Sequence, residues 1–130
     1  MKALLLNGPG KPFSIETIED PTPEKGYAVA KVLACGSGLT IQHVKAGRIS
    51  VNYPRIIGHE IIGEIVEING QGGDLEIETP VTAFFYLTCG HCRWCNIVRE
   101  TLCDNFKGYI GREIDGGYAE YISLPAKNFI

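Results

Sequence analysis

The sequence predicts a mainly β, barrel-like domain with one short helix and a lobe built around cysteines. Short apolar strands alternate with glycine-rich turns along most of the chain, only one segment carries both a helical cap and a helical stop, and four of the five cysteines crowd between two of the strands. At 130 residues, with 45% hydrophobic and 21% charged side chains, the chain has the composition and length of one globular domain.

Lys2 to Leu6 and Ser14 to Glu19 read as two strands joined by a turn at Gly8-Pro9-Gly10, and Pro21-Thr22-Pro23 ends that pattern. Ala28 to Ala34 follows as a largely buried strand of small and β-branched residues interrupted only by Lys31. Thr40 to Ala46 predicts one or two helical turns, capped by Thr40 and stopped by Gly47. Glu60 to Ile68 is the long strand, in which Ile62, Glu64, Val66 and Ile68 oppose Ile61, Ile65 and Glu67 imperfectly, as a curved barrel strand does. Asn69 to Asp74 forms a turn with several residues free to adopt positive φ, and Val81 to Leu87 is another apolar strand leading into the cysteine lobe. Gly116-Gly117 opens the last strand, Tyr118 to Leu124.

The lobe, residues 88–104, carries Cys89, Cys92, Cys95 and Cys103 in the pattern C-x2-C-x2-C-x7-C. Zinc takes four thiolates at about 2.3 Å, and two-residue gaps let consecutive cysteines curl around one cation. Disulfides suit the spacing less well, since three cysteines two residues apart leave strained loops and one poor pairing. The stretch from Met1 to Gly8 also lacks the longer apolar region of a secretory signal. Four thiolates around Zn2+ leave about two negative charges. Arg93, Arg99 and Lys107 are near enough in sequence to offset them, although each taken singly reads as a solvated loop charge.

Twelve Lys+Arg against fifteen Asp+Glu give a net charge of −3 with scattered basic residues, which argues against a nucleic-acid footprint. No apolar run approaches the roughly eighteen residues of a membrane span. Reduced cysteine ligands suit a reducing compartment, so a cytoplasmic location is expected. The nearest match to a dinucleotide fingerprint, Gly36-Ser37-Gly38, has Ile41 where the third glycine belongs, and no phosphate-binding loop occurs.

His43 and the run Gly58-His59-Glu60 are weak signals singly, since a His-Glu pair at a strand start is most often a satisfied polar pair. Their order with Cys35-Gly36, Gly47, the four cysteines and Asp115-Gly116-Gly117-Tyr118-Ala119-Glu120-Tyr121 is distinctive. Over essentially its whole length the chain resembles the N-terminal, GroES-like catalytic domain of the medium-chain, zinc-type alcohol dehydrogenases. The resemblance implies a partly open β-barrel with short helices and a zinc-binding lobe. It implies Cys89, Cys92, Cys95 and Cys103 as structural zinc ligands, and His59, with the adjacent Glu60, at the catalytic zinc position. It implies Thr40 as the hydroxyl that binds the alcohol oxygen, and His43 as the histidine of a proton relay. Removing the alcohol proton before hydride loss needs an acceptor, which a histidine near neutrality supplies. NAD or NADP would bind through a Rossmann domain that lies outside this chain, so residues 1–130 alone would lack a hydride donor. Relatives commonly form dimers or tetramers, so a homo-oligomer is an expected assembly.

Departures from the family pattern fall on the catalytic metal. Where relatives carry Cys-Gly-x-Cys followed by a Ser/Thr and Asp, this chain reads Cys35-Gly36-Ser37-Gly38-Leu39-Thr40-Ile41. Gly38 replaces a ligand cysteine, and Ile41 replaces the acidic residue expected to orient the metal-bound histidine. A catalytic zinc needs about three protein ligands and an open position. His59 and Glu60 remain as the candidate pair, with Cys35, three residues from the vacated position, either a substitute or a small buried residue at a strand end. Glu78-Thr79-Pro80-Val81 departs from the family's Gly-Asp-x-Val turn without touching a ligand.

The expected function is that of an NAD(P)-dependent alcohol dehydrogenase-like oxidoreductase acting on a small alcohol or carbonyl compound. Two alternatives stand beside it: a reductase of activated carbon–carbon double bonds with a zinc-free pocket, and a non-enzymatic, zinc-stabilised interaction module.

Overall fold

The computed structural model describes residues 1–70 and 73–130, so Gln71 and Gly72 of the expected Asn69 to Asp74 turn lie outside the described residues. Strand β1 (Lys2–Leu6) runs antiparallel to β2 (Phe13–Thr17) and, on its other side, to β4 (Arg55–Ile56). A four-stranded sheet has the order β6-β5-β3-β9, from β3 (Tyr27–Cys35), β5 (Ile61–Asn69), β6 (Pro80–Thr82) and β9 (Tyr121–Pro125). A ribbon of β7 (Tyr86–Leu87) and β8 (Gly108–Tyr109) supports the cysteine lobe.

The segment before β9 links the two larger sheets. Leu4 N–H donates to Tyr118 O at 2.8 Å and Glu120 N–H to Lys2 O at 3.1 Å, while Val32 N–H donates to Glu120 O at 2.8 Å. Ala3 bridges Ala119, and Ala83 bridges Phe129, without the strands closing into a complete ring. The expected partly open barrel is therefore what forms.

Two apolar clusters fill it. Ile61, Ile65, Val81, Ile122, Leu124 and Phe129 pack inside the four-stranded sheet, and Leu6, Ile41, Val44, Val51 and Ile57 pack beneath the helix. Each large side chain removed from water in this way contributes about 1.5–3 kcal/mol before entropy is counted.

The imperfect alternation of the long strand has a local cause. Val29 pairs with Glu67 and Ala30 with Ile65, so Val66 is an extra residue, and a second shift between Val32 and Ala34 leaves Leu33 extra. These bulges bend the β3–β5 pair and turn Val66 and Leu33 outward. The second half of β3 is consequently less buried than its apolar sequence suggests.

Three other expectations change. Helix α1 (Leu39–Lys45) starts one residue early, with Gly38 in the capping position, so Thr40 lies inside the first turn and is not the cap. Gly47, at φ 75°, does end it. Val81 to Leu87 is two strands in different sheets, β6 and β7, and the last strand begins at Tyr121. Strands β4 and β8 and a four-residue helix α2 (Arg93–Asn96) are additional.

Candidate metal centre and catalytic pocket

All five cysteines are free thiols. The sulfurs of Cys89, Cys92, Cys95 and Cys103 lie within 4.8 Å of one another. Four of the separations are 4.0 Å (Cys89–Cys95), 3.5 Å (Cys92–Cys95), 4.0 Å (Cys92–Cys103) and 3.5 Å (Cys89–Cys103). A tetrahedron with metal–sulfur bonds of about 2.3 Å has edges of about 3.8 Å. The donor set and its spacing therefore fit a zinc ion.

The scaffold prepares these thiols unequally. The backbone N–H of His91, ahead of other neighbours, holds the Cys89 thiol down at about 5, and that of Cys95 lowers the Cys92 thiol. Burial pushes Cys95 up to about 11. A cation would stabilise the thiolate that burial disfavours there. The nearby cations turn elsewhere. The Arg93 guanidinium lies 4.6 Å from the Trp94 ring and 3.8 Å from Asp104, while the Trp94 indole N–H donates to Asp104 at 3.1 Å. Arg99 and Lys107 are exposed. A backbone donor meets the sulfurs instead, with Cys89 N–H 3.3 Å from Cys103 Sγ.

The second group of expected residues surrounds two adjoining cavities. One, of about 840 Å³, is lined by Cys35, Gly36, His59, Glu60, Thr82 and Phe85 among others. The other, of about 260 Å³, is lined by Thr40, His59, Phe85, Tyr86, Tyr109, Ile110 and Arg112. His59 and Phe85 form the shared wall, with ring centroids 5.0 Å apart. The structure thus brings Thr40 and His59 to one cavity and His59 and Glu60 to the other. His43, one helical turn beyond Thr40, lines neither; its Nδ1 faces Arg48 Nη1 at 3.4 Å.

Backbone geometry fixes His59. Gly58 has φ 100°, and a Cβ there would stand 2.7 Å from Tyr118 Cδ1 and 2.8 Å from Cys35 Sγ. The 115–118 segment clamps this turn: Gly116 N–H donates to Ile56 O at 2.7 Å, Gly117 N–H to Gly58 O at 2.9 Å and Tyr118 N–H to Ile57 O at 3.0 Å. Asp115 adds an ion pair with Arg55 at 2.8 Å, and the Tyr118 hydroxyl donates to Gly36 O at 3.2 Å. The motif Asp115-Gly116-Gly117-Tyr118 thus acts as the buttress of the histidine turn, ahead of the strand that begins at Tyr121.

The described residues at this pocket do not by themselves assemble a catalytic zinc site. Gly38 offers no donor, and a Cβ built on it would stand 2.6 Å from Glu60 Oε1. A Cβ on Gly36 would overlap Glu60 Oε2. The Glu60 carboxylate thus fills the space above both glycines. Cys35, whose thiol burial pushes up to about 11, packs against the inner cluster as a neutral group. Among the described residues, the four lobe cysteines are the one group of three or more metal-donor side chains drawn together.

The alcohol dehydrogenase GroES-like domain model matches residues 24–130. L-threonine 3-dehydrogenase of Cutibacterium acnes is 33% identical over 132 residues, spanning 98% of this chain and 38% of that protein. An NAD-dependent alcohol dehydrogenase of Sulfolobus acidocaldarius is 35% identical over 132 residues, spanning 96% of this chain and 38% of that protein. The cobalt- and zinc-bound thermostable alcohol dehydrogenase of Pyrobaculum aerophilum superposes with a TM-score of 0.92 at 31% identity, covering 100% of this chain and 40% of that one. The chain thus spans about 38% of the length of the curated relatives it matches.

Proposed function

The chain belongs to the alcohol dehydrogenase GroES-like domain family, and from that premise we propose that it is the N-terminal catalytic domain of an NAD(P)-dependent, alcohol dehydrogenase-like oxidoreductase acting on a small alcohol or carbonyl compound. The observation that carries the reading is the cavity of about 260 Å³ in which Thr40 and His59 meet beneath an aromatic wall. Cys89, Cys92, Cys95 and Cys103 hold a structural zinc, which supplies cross-linking of the lobe and no chemistry.

In the oxidising direction an alcohol loses a hydride from carbon and a proton from oxygen. A nicotinamide cofactor, bound outside residues 1–130, would supply the hydride acceptor. Thr40, on a helix turn facing the cavity, holds the substrate oxygen and accepts its hydrogen bond. His59 in the same cavity is the nearer proton acceptor, and His43, one turn along the helix, is a surface-side group for passing that proton to solvent. Glu60, over Gly36 and Gly38, faces the adjoining cavity next to His59. Without a catalytic zinc, polarisation of the substrate oxygen rests on hydrogen bonds.

The missing third metal donor also favours a second reading, reduction of an activated carbon–carbon double bond, in which the carbonyl oxygen is held by hydrogen bonds alone. Reduced cysteines suit a cytoplasmic setting, and a homo-oligomeric assembly is consistent with this family.

The test uses the native gene product: its metal content, NAD(P)+-linked oxidation of short secondary alcohols, and NAD(P)H-linked reduction of α,β-unsaturated ketones. About one zinc per chain with alcohol turnover supports the first reading. The same zinc content with enone reduction alone supports the second. Zinc without either activity leaves a zinc-stabilised module as the account.

A further inference from the structure

Arg112 enters the cavity of Thr40 and His59 from the opposite end of the sequence. It occupies the tip of a turn tied at several points. Gly111 N–H donates to Ile114 O at 3.0 Å, Arg112 N–H to Tyr109 O at 3.2 Å and Glu113 N–H to Tyr109 O at 3.1 Å, while Glu113 Oε2 accepts the Tyr109 N–H at 2.6 Å. The guanidinium carbon lies 5.0 Å from the centre of the Tyr109 ring, within cation–π range of its face.

Its hydrogen-bonding capacity is left largely unspent. The Nε of Arg112 is buried and has no hydrogen-bond partner among the described residues. Nη2 stands 3.8 Å from Glu113 Oε1, beyond hydrogen-bond reach, and Glu113 already serves the Tyr109 N–H with its other oxygen. Arg55 makes the contrast: its Nε is also unpaired, yet its Nη1 donates to Asp115 at 2.8 Å and locks the histidine turn. An arginine with a purely structural task spends its fork in that way. Arg112 holds its fork in a pre-set turn, against an aromatic ring, at the edge of an aromatic-walled cavity that also holds Thr40 and His59.

We propose that Arg112 is a specificity-determining residue that binds the oxyanion of the substrate, a carboxylate or phosphate carried close to the hydroxyl or carbonyl that Thr40 holds. A planar guanidinium pairs with such groups through two parallel N–H donors, which fixes both position and orientation. The substrate class is then a small hydroxy acid, oxo acid or phosphorylated polyol, and neutral alcohols of the same size are poorer ligands. The inference rests on the oxidoreductase reading for its chemistry and on Arg112 alone for its anion selectivity.

The experiment is a titration of the chain followed by NMR on the Arg112 Nε–H resonance, with lactate, inorganic phosphate and neutral propane-1,2-diol as probes. Lactate or phosphate shifts that resonance saturably and the diol does not. Arg112→Gln weakens the response by about ten- to hundredfold, as loss of a charged hydrogen bond does, while Arg112→Lys restores part of it. A response to lactate alone identifies a carboxylate site, and one to phosphate alone a phosphate site. No saturable response, or one unchanged in a folded Arg112→Gln protein, overturns the proposal. Anion binding that depends on Arg112 in a gene product without NAD(P)-linked turnover keeps the site and removes the oxidoreductase reading. NAD(P)-linked turnover in a gene product that shows no Arg112-dependent anion binding does the reverse.

Discussion

The Glu60 carboxylate occupies the volume into which a side chain at position 38 would project, with Oε1 2.6 Å from the place of a Cβ on Gly38. A side chain at position 38 and the present placement of the Glu60 carboxylate thus exclude one another. A glycine there provides the room that the carboxylate uses.

Gly38→Cys in the native gene product should therefore displace Glu60 and put a thiol where its carboxylate stands. Because Glu60 is exposed, its side chain can swing aside at little cost. Zinc content is expected to rise from about one per chain towards about two. Metal analysis that stays at the parent value would show that the vacant ligand position is not what excludes a second ion.

Thr40 lies inside the first turn of α1 with no capping role, so its removal should affect chemistry and not folding. Thr40→Ala is expected to lower kcat/KM by about a hundredfold or more while shifting unfolding free energy by no more than about 0.5 kcal/mol. Thr40→Ser should keep most of the activity. Equal losses in stability and turnover would assign Thr40 to packing.

Gly58→Ala combines a left-handed backbone with contacts at 2.7 Å to Tyr118 and 2.8 Å to Cys35. Strain and overpacking together should cost about 3 kcal/mol. Denaturant unfolding of parent and variant measures this directly, and a difference under about 1 kcal/mol would mean the 115–118 clamp yields easily.

Removing zinc should release the lobe before the sheets, because the lobe is attached through the short β7–β8 ribbon while the inner clusters lie elsewhere. Limited proteolysis with a chelator is expected to give new cuts between Cys89 and Cys103. An unchanged cleavage pattern would count against a folding role for the metal.

Cys35 provides a pH test. Burial raises its thiol from the ordinary value near 9 to about 11, so the fold favours the neutral form. That contribution is complete below about pH 9 and disappears as pH rises through about 11. Mass-resolved alkylation at pH 8 should leave Cys35 unmodified in native protein and modify it fully in denaturant. Rapid native labelling at pH 8 would contradict its placement.

What the sequence reveals depends on how local each signal is. The lobe is legible because its four donors sit within Cys89 to Cys103, and cysteine spacing encodes the closed shell directly. The long strand is legible, but its bulges are not, since Val66 and Leu33 become extra only when β3 and β5 pair. Val81 to Leu87 reads as one apolar strand. It divides because Asn128, far along the chain, donates through its side-chain amide to Phe84 O at 2.6 Å and Tyr86 O at 2.9 Å. Thr40 reads as a cap because threonine at a helix start is a capping residue by type, and only the folded backbone puts Gly38 in that place. Strands β4 and β8, two residues each, are too short to display a period. Arg112 gives no signal in sequence beyond standing just before Asp115-Gly116-Gly117; its proximity to Thr40 and His59 exists only after the turn is clamped.

The lobe also contains the one tryptophan of the chain, Trp94, between Cys92 and Cys95, with its indole tied to Asp104 and overlaid by Arg93. Its emission therefore comes from within a few residues of the sulfurs and from nowhere else in the fold. Residues 1–130 thus carry a built-in optical gauge: thiolates quench, ordering of the indole shifts the spectrum, and both change as the lobe opens. Metal occupancy can be followed in real time in the unmodified chain, with no dye and no engineered reporter.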